Sequence, residues 1–504
     1  MQQAVVIQSP VQVYQRYGQN YRQVEANSVV KIQAIGNCSF AFEVDDVGPN
    51  PEVLMKSDIS SCLNTFFSMI DSTFNFDISY NNILHSFSLG FQNPTELERF
   101  ANAFVNCLFE FTYKKRPTAQ DLPEIERIIS YMRVSEPPVE NEDDEFFEDD
   151  SQGNYNGAPD NGKNSLLRNA PHTNSILVTR NYNDHSGLGI FSQDCAFQMS
   201  IPSISDATGQ KLIADDALTH SGDHGLFVLD QKRPYEVFNL NLDRGMVTNH
   251  VNSIDASGKQ IPVVKLLHTE NGNSTSPTFV GFNERDTLMF DPRVQCSVVN
   301  HSEYKTNNKF TCGITTSNGK IAMGSNNGIV RLYKEPCKTR ATINFQINVG
   351  NDPIIGIDVS PDERWVVATC PYYLSVFDVL AKSTGKLGFD SPMGKDKPPL
   401  IRLYLSSADI QTIASNNGGI LLPFTPAKFE ISHGKVVAVV ASMGNSLISW
   451  NFSTIERGKS PKYSIKFVQC DQIVDDMPID SSSKVIYISP NLVSAAKSYK
   501  RGRC

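Results

Sequence analysis

Two histidines and a carboxylate fall within five residues at His220-Ser221-Gly222-Asp223-His224, side chains able to hold a metal or move protons. A zinc site needs a third or fourth ligand with its own supporting partners, and none stands close by in sequence. The segment therefore reads as a loop leading into a strand at Leu226. Gly444-Asn445-Ser446 falls short of a nucleophile elbow: no glycine stands two residues after the serine, and no strand-to-helix switch is predicted. Cys370 closes an apolar run with no basic neighbour to lower its pKa, so it reads as core. Gly324-Ser325-Asn326-Asn327-Gly328 lacks the Lys-Ser/Thr pair of a phosphate loop and reads as a turn. No catalytic residue, cofactor site or metal ligand is assigned, and the chain reads as not an enzyme.

A different chemistry sits at Glu145-Phe146-Phe147-Glu148, preceded by Glu142-Asp143-Asp144. Adjacent phenylalanines in an acidic run suit an apolar anchor steered by charge. The run resembles the two-phenylalanines-in-an-acidic-tract motif that docks VAMP-associated proteins at the endoplasmic reticulum. It departs from that motif at Asp149, where a small residue is preferred, and at Ser151, where an acid is. The surrounding segment, 136–165, is acidic, then rich in Gly, Asn and Pro, with no basic residue before Lys163. Such a composition buries too little apolar surface to offset its ordering entropy, so the segment is expected to be a disordered joint.

The elements on either side differ. Before the joint, VVKIQAI (29–35) and CSFAFEV (38–44) alternate across Gly36-Asn37, as do FNFDISY (74–80) and ILHSFSLGF (83–91) across Asn81-Asn82. Asn93-Pro94-Thr95-Glu96 is a helix start, and Leu97, Phe100, Phe104, Leu108 and Phe111 follow at helical spacing. A second short helix is predicted over 122–132, with Ile125, Ile128, Ile129 and Met132 on one face. A small sheet followed by a helix is the element order of a pleckstrin-homology-like domain. Between Glu25 and Tyr113 the basic residues are Lys31, Lys56 and Arg99, too few to face phosphoinositide phosphates, so phosphoinositide binding is not expected.

After the joint the chain repeats. GKIAMGSNNGIVRLYK (319–334), ERWVVATCPYYLSVFD (363–378) and GKVVAVVASMGNSLISWN (434–451) are each strand, turn, strand. Each second strand ends in an aromatic and then a polar residue, Tyr333-Lys334, Phe377-Asp378 and Trp450-Asn451. Looser copies occur at DHGLFVLDQKRPYEVFNL, TFVGFNERDTLMFD and KVIYISPNLVSAAKS, and SILVTRNYNDHSGLGIFS supplies a first. Six or seven units at the period of propeller blades predict a mainly β protein with a β-propeller of about seven blades.

NDPIIGIDVSPDERWVVATC (351–370), with LMFDPR (288–293), GKLGF (385–389), GKDKPP (394–399) and FTPAKF (424–429), resembles the vacuolar import and degradation protein 27 family, in the same order along the chain. The resemblance implies a Trp-Asp-like propeller over 175–500, a pleckstrin-homology-like unit before it, and a role tied by name to vacuolar import and protein degradation. It brings no catalytic residues. The fungal members' additional N-terminal region is not expected here. In the matching run, Asp352 and Pro353 belong to a turn, Gly356 and Asp358 to a buried strand, and Arg364 and Trp365 to the next turn and strand. Asp358 and Arg364 are expected to tie blade to blade by charge-assisted bonds; the rival reading of the run is a ligand-facing rim.

The domain reading is a flexible tail over 1–24, a pleckstrin-homology-like domain over 25–116, a short helix and acidic disordered linker over 117–168, and the propeller over 169–500. Ten scattered cysteines without a C-x-x-C pair suit reduced thiols. The N-terminus has no signal-peptide pattern, and no run of about 18 apolar residues occurs. The expected setting is therefore cytoplasmic, without membrane insertion. A net charge of −9 argues against nucleic acid as the main partner. Proteins are the expected partners, in an adaptor or scaffold role. The alternative is a small-molecule binder or enzyme using the propeller's central channel.

Overall fold

In this computed structural model the described residues are 4–17, 20–48, 52–59, 62–80, 83–134, 139–140, 145–153, 161–294, 296–306, 308–347, 352–394, 396, 400–458, 461–479 and 484–500. Asn93 opens the long helix of the N-terminal third, α1 (Pro94–Tyr113), by accepting the Glu96 backbone N–H at 2.9 Å. Its stripe of Leu97, Phe100, Phe104 and Leu108 is buried. It packs on a sheet built from β1 (Ala4–Tyr17), β2 (Asn20–Gly36), β3 (Ser39–Asp46), β4 (Val53–Asp58), β5 (Leu63–Ser68), β6 (Thr73–Tyr80) and β7 (Ile83–Phe91). The spatial order is β4-β3-β2-β1-β7-β6-β5, with the short strand Arg133–Val134 added beside β5. Phe74 is the hub of the core, with ring centroids 4.8 Å from Phe104 and 5.0 Å from Phe67. Burying each such ring contributes about 1.5–3 kcal/mol. A second helix, α2 (Leu122–Met132), buries Ile125, Ile128, Ile129 and Met132 against the same core.

The expected N-terminal tail is corrected here. β1 lies mid-sheet, paired with β2 on one side and β7 on the other. Ile7, Ser9, Val11 and Val13 point inward with period two. The buried Ser9 interrupts the apolar alternation, which is why the strand did not stand out in the sequence.

The remaining described chain forms seven blades. They cover residues 163–201, 216–252, 265–303, 310–346, 356–403, 428–467 and 475–500. Within a blade the strands are lettered a to d from the inside. Strand a of each blade touches strand a of the next, and that of blade 7 touches that of blade 1, so the ring is closed. Every strand–turn–strand repeat of the sequence is the b–c hairpin of one blade. Tyr333, Phe377 and Trp450, at the ends of strand c, are all buried.

The linker is the second correction. Val139–Glu140 lies parallel beside strand d of blade 6 (Lys462–Phe467). Glu145–Gly153 is the outermost strand of blade 7, antiparallel to its strand c (Val493–Lys500). Lys163–Ala170 is already strand a of blade 1, so the propeller begins before residue 169. Residues 135–138, 141–144 and 154–160, with Glu142, Asp143 and Asp144 among them, lie outside the described residues. A composition too polar for a core still suits an outer strand, which needs backbone pairing and compatible neighbours. Here the register sets Glu148 opposite Lys497 and Glu145 opposite Lys500.

Candidate functional site

The family-matching run occupies the entry to blade 5, whose strand a is Gly356–Val359 and strand b Trp365–Cys370. Asp352, just before strand a, is buried and accepts the Tyr373 hydroxyl at 2.8 Å. The Arg402 guanidinium lies over the Tyr373 ring at 3.9 Å and donates to the Thr65 carbonyl of β5 at 2.8 Å. Phe66 stacks on Tyr404 at 6.2 Å, and Leu400 packs against the N-terminal core. Asp352 thus sits under the junction of the two domains. Burial pushes its carboxyl above the ordinary carboxylate range. Burial, with the Asp352 charge adding to it, pushes the Cys62 thiol up to about 12.

The rest of the run makes joints. Pro353 is half-buried in the lead-in to strand a. A Cβ on Gly356 would come within 2.6 Å of the Pro426 Cβ, so glycine lets blade 6 approach. Asp358 Oδ2 accepts the Phe429 backbone N–H of blade 6 at 2.8 Å, a tie between blades. Arg364 does not tie blades: its guanidinium grips Asp378 of the same blade at 2.7 and 3.1 Å and lies 5.4 Å from the Trp365 ring. Strands b and c run antiparallel with Trp365 opposite Asp378, and that register holds the pair inside one blade. Trp365 is buried edge-on against Phe452 at 5.3 Å.

The same kind of tie recurs round the channel. Asp216 accepts Arg168 of blade 1 at 2.7 Å and the Leu266 N–H of blade 3 at 2.8 Å. Asp475 of blade 7 accepts the Leu167 N–H of blade 1 at 3.1 Å. Thr315 donates to the His268 carbonyl between blades 4 and 3, Thr311 to the Ile354 carbonyl between 4 and 5, and Thr425 to Asp476 between 6 and 7. Every junction therefore carries a polar bond, and these channel carboxylates are committed to it. Sequence reasoning missed Asp216, Asp475, Arg168 and Arg402, because a single Asp or Arg in a short strand looks like any surface charge. Their partners in these ties stand 48 to 337 residues away, beyond any local pattern.

The histidine pair separates. His220 ends strand a of blade 2, stacks on Phe227 at 3.9 Å, and faces Asn239 at 3.0 Å. Burial lowers its pKa to about 4, so it is neutral at pH 7. His224 is exposed beside Asp243, and Asp223 is buried, accepting the His172 N–H at 2.7 Å. Among the described residues no three His, Cys, Asp or Glu side chains converge as metal ligands. Cys370 is fully buried. In the N-terminal domain Lys31 pairs with Asp45, Lys56 with Glu43 at 2.7 Å, and Arg99 with Glu96 at 3.8 Å.

Comparison with known sequences matches residues 163–502 to the VID27 C-terminal WD40-like domain and residues 3–111 to the VID27 PH-like domain. The chain belongs to the vacuolar import and degradation protein 27 family. Vacuolar import and degradation protein 27 of Schizosaccharomyces pombe is 25% identical over 93% of the chain and 63% of its own length. The Saccharomyces cerevisiae protein of that name is 23% identical over 93% and 64% respectively. The chain thus spans less than two thirds of these family members. Among solved structures, the Cps50 (Swd1) β-propeller domain of Myceliophteria thermophila is 13% identical with a TM-score of 0.48, covering 70% of this chain and 99% of that one. At that score the likeness decides nothing, and the seven-bladed ring of this VID27 family member rests on its own sheet topology. No helix among the described residues is long and apolar enough to cross a membrane.

Proposed function

We propose that the chain is a non-enzymatic cytosolic adaptor. Its propeller would serve as a rigid platform for protein partners in the vacuolar import and degradation process that names the family. The observation that carries this is the commitment of the channel carboxylates to ties between blades. A rival reading, with a small molecule or reaction in the channel, needs polar groups left free to converge on a ligand. The N-terminal domain gives a second protein-binding surface. Three of its cations, Lys31, Lys56 and Arg99, are each paired with a carboxylate, which supports a protein rather than a phosphoinositide partner. The test is affinity purification of the full chain with quantitative mass spectrometry. A protein retained in stoichiometric amount, and lost when the propeller is deleted, is expected. Retention that survives the deletion would sink the platform role.

The acidic tract carries a second, separate reading: docking of a VAMP-associated protein through Phe146 and Phe147, flanked by Glu145 and Glu148. Its backbone is the outermost strand of blade 7, so docking competes with the pairing of that strand. The apparent affinity then falls by the fraction of molecules with that strand released. A peptide spanning 139–153 should bind the receptor domain more tightly than the full chain does. Changing both phenylalanines to alanine should abolish binding of each. Equal affinity of peptide and full chain would show that the strand and the docking site do not compete.

A further inference from the structure

A cavity of about 660 Å³ opens between blades 3 and 4, away from the channel and the domain junction. It lies between the loop after strand d of blade 3 (Val298–Glu303) and the strands c (Ile329–Tyr333) and d (Ile343–Gln346) of blade 4. Three cations line it: Arg331, Lys305 and Arg340. Arg331 is half-buried, donates to the Ser325 hydroxyl at 2.6 Å and lies 5.7 Å from the Phe310 ring. No described carboxylate pairs with it, and burial lowers its pKa, with Tyr333 and Tyr304 working the other way. Lys305 and Arg340 are exposed at the rim, and no ion pair holds either among the described residues. The one carboxylate at the cavity, Glu303, is engaged by Lys259 at 2.8 Å and Arg285 at 3.0 Å. Neutral polar side chains, among them Asn308, Thr342 and Asn344, also line it. Tyr304 fixes the floor by donating to the Lys338 carbonyl at 2.8 Å.

A half-buried guanidinium without a counter-charge carries a desolvation cost, and a bound anion would offset it. From this geometry we infer that the cavity between blades 3 and 4 binds a phosphate monoester, with Arg331 as the planar fork at its base and Lys305 and Arg340 closing on it from the rim. A monoester carries close to two negative charges and three acceptor oxygens, which matches three cations and a ring of amide and hydroxyl donors. A single carboxylate would leave most of that charge unanswered. The cavity is also far larger than a bare phosphate, so it has room for the group that the phosphate is attached to. That group is a peptide side chain or a small phosphorylated metabolite.

Titration calorimetry of the full chain with inorganic phosphate, glucose 6-phosphate, a capped phosphoserine peptide and its unphosphorylated twin separates these. The phosphoserine peptide or the sugar phosphate should bind saturably, and the unphosphorylated peptide should not. Affinity should fall as salt rises, because rim cations are screened. Lys305→Ala with Arg340→Ala should weaken binding about tenfold or more while leaving the unliganded melting temperature unchanged, since neither side chain has an ion-pair partner among the described residues. Arg331→Gln should abolish it. Whichever of the two monoesters binds more tightly identifies the source. Absence of saturable binding by every phosphate probe, or affinity indifferent to the Lys305/Arg340 pair, overturns the assignment.

Discussion

At the residue scale the buried acids set what can be measured. Asp476, at the tie between blades 6 and 7, is pushed up from 3.8 to about 6 because burial penalises its charge, although the Thr425 hydroxyl works the other way. The native state therefore keeps a proton that the unfolded chain has already released between about pH 4 and 6. This group's contribution to stability is complete below pH ~4 and is lost as pH rises through about 6. The displacement corresponds to about 3 kcal/mol. Asp476→Asn keeps an acceptor for Thr425 and cannot ionise. Its stability relative to the parent should rise by about 2–3 kcal/mol between pH 4 and 7, read from urea midpoints, and parallel pH profiles would refute the assignment. Gly356 makes a complementary test of packing. Ala there must push Pro426 or the strand aside, and should lower stability by about 1–3 kcal/mol without altering partner binding.

At the element scale, legibility followed burial. Strands b and c of each blade are covered on both faces, so they appear as apolar runs such as WVVATC and YLSVFD and were found in the sequence. Strands a line the channel, strands d face solvent, and both are short and mixed, as KLLH and VVNHSE show. The helix α1 was legible because cap, proline and apolar stripe agree. Glu145–Gly153 was not, because its pairing partner lies over 300 residues later in the chain and nothing local announces it. That pairing makes a direct prediction. Lys497→Glu sets like charges opposite each other at Glu148, a loss of about 0.2–1 kcal/mol in that pair, while relieving the like-charge pairing of Lys497 with Lys484 on strand b. Adding Glu148→Lys should restore the loss, and a double-mutant cycle with no coupling would argue against this register.

At the scale of the whole molecule, the two family domains meet, among the described residues, at blade 5 through Arg402, Tyr404 and Leu400. Arg402 is central: it bonds the Thr65 carbonyl of the N-terminal domain while its guanidinium covers Tyr373, which in turn reaches Asp352. This explains why the family-matching run pointed at Asp352 without pointing at a ligand. The run secures the platform and the seat of the second domain at once. A hydrogen bond of about 1 kcal/mol and a cation–ring contact of about 0.5–2 kcal/mol are at stake. Arg402→Ala removes both and deletes no apolar side chain from either domain's core, while uncovering the Tyr373 ring. The N-terminal domain should then swing free. Small-angle scattering should show a larger radius of gyration, and calorimetry should resolve two unfolding transitions where the parent shows coupled melting. Arg402→Lys retains a cation over the ring without the planar fork and should fall between the two. If Arg402→Ala leaves scattering and melting unchanged, the domains are held by Phe66, Tyr404 and Leu400 packing alone, and Asp352 loses its proposed place in the joint.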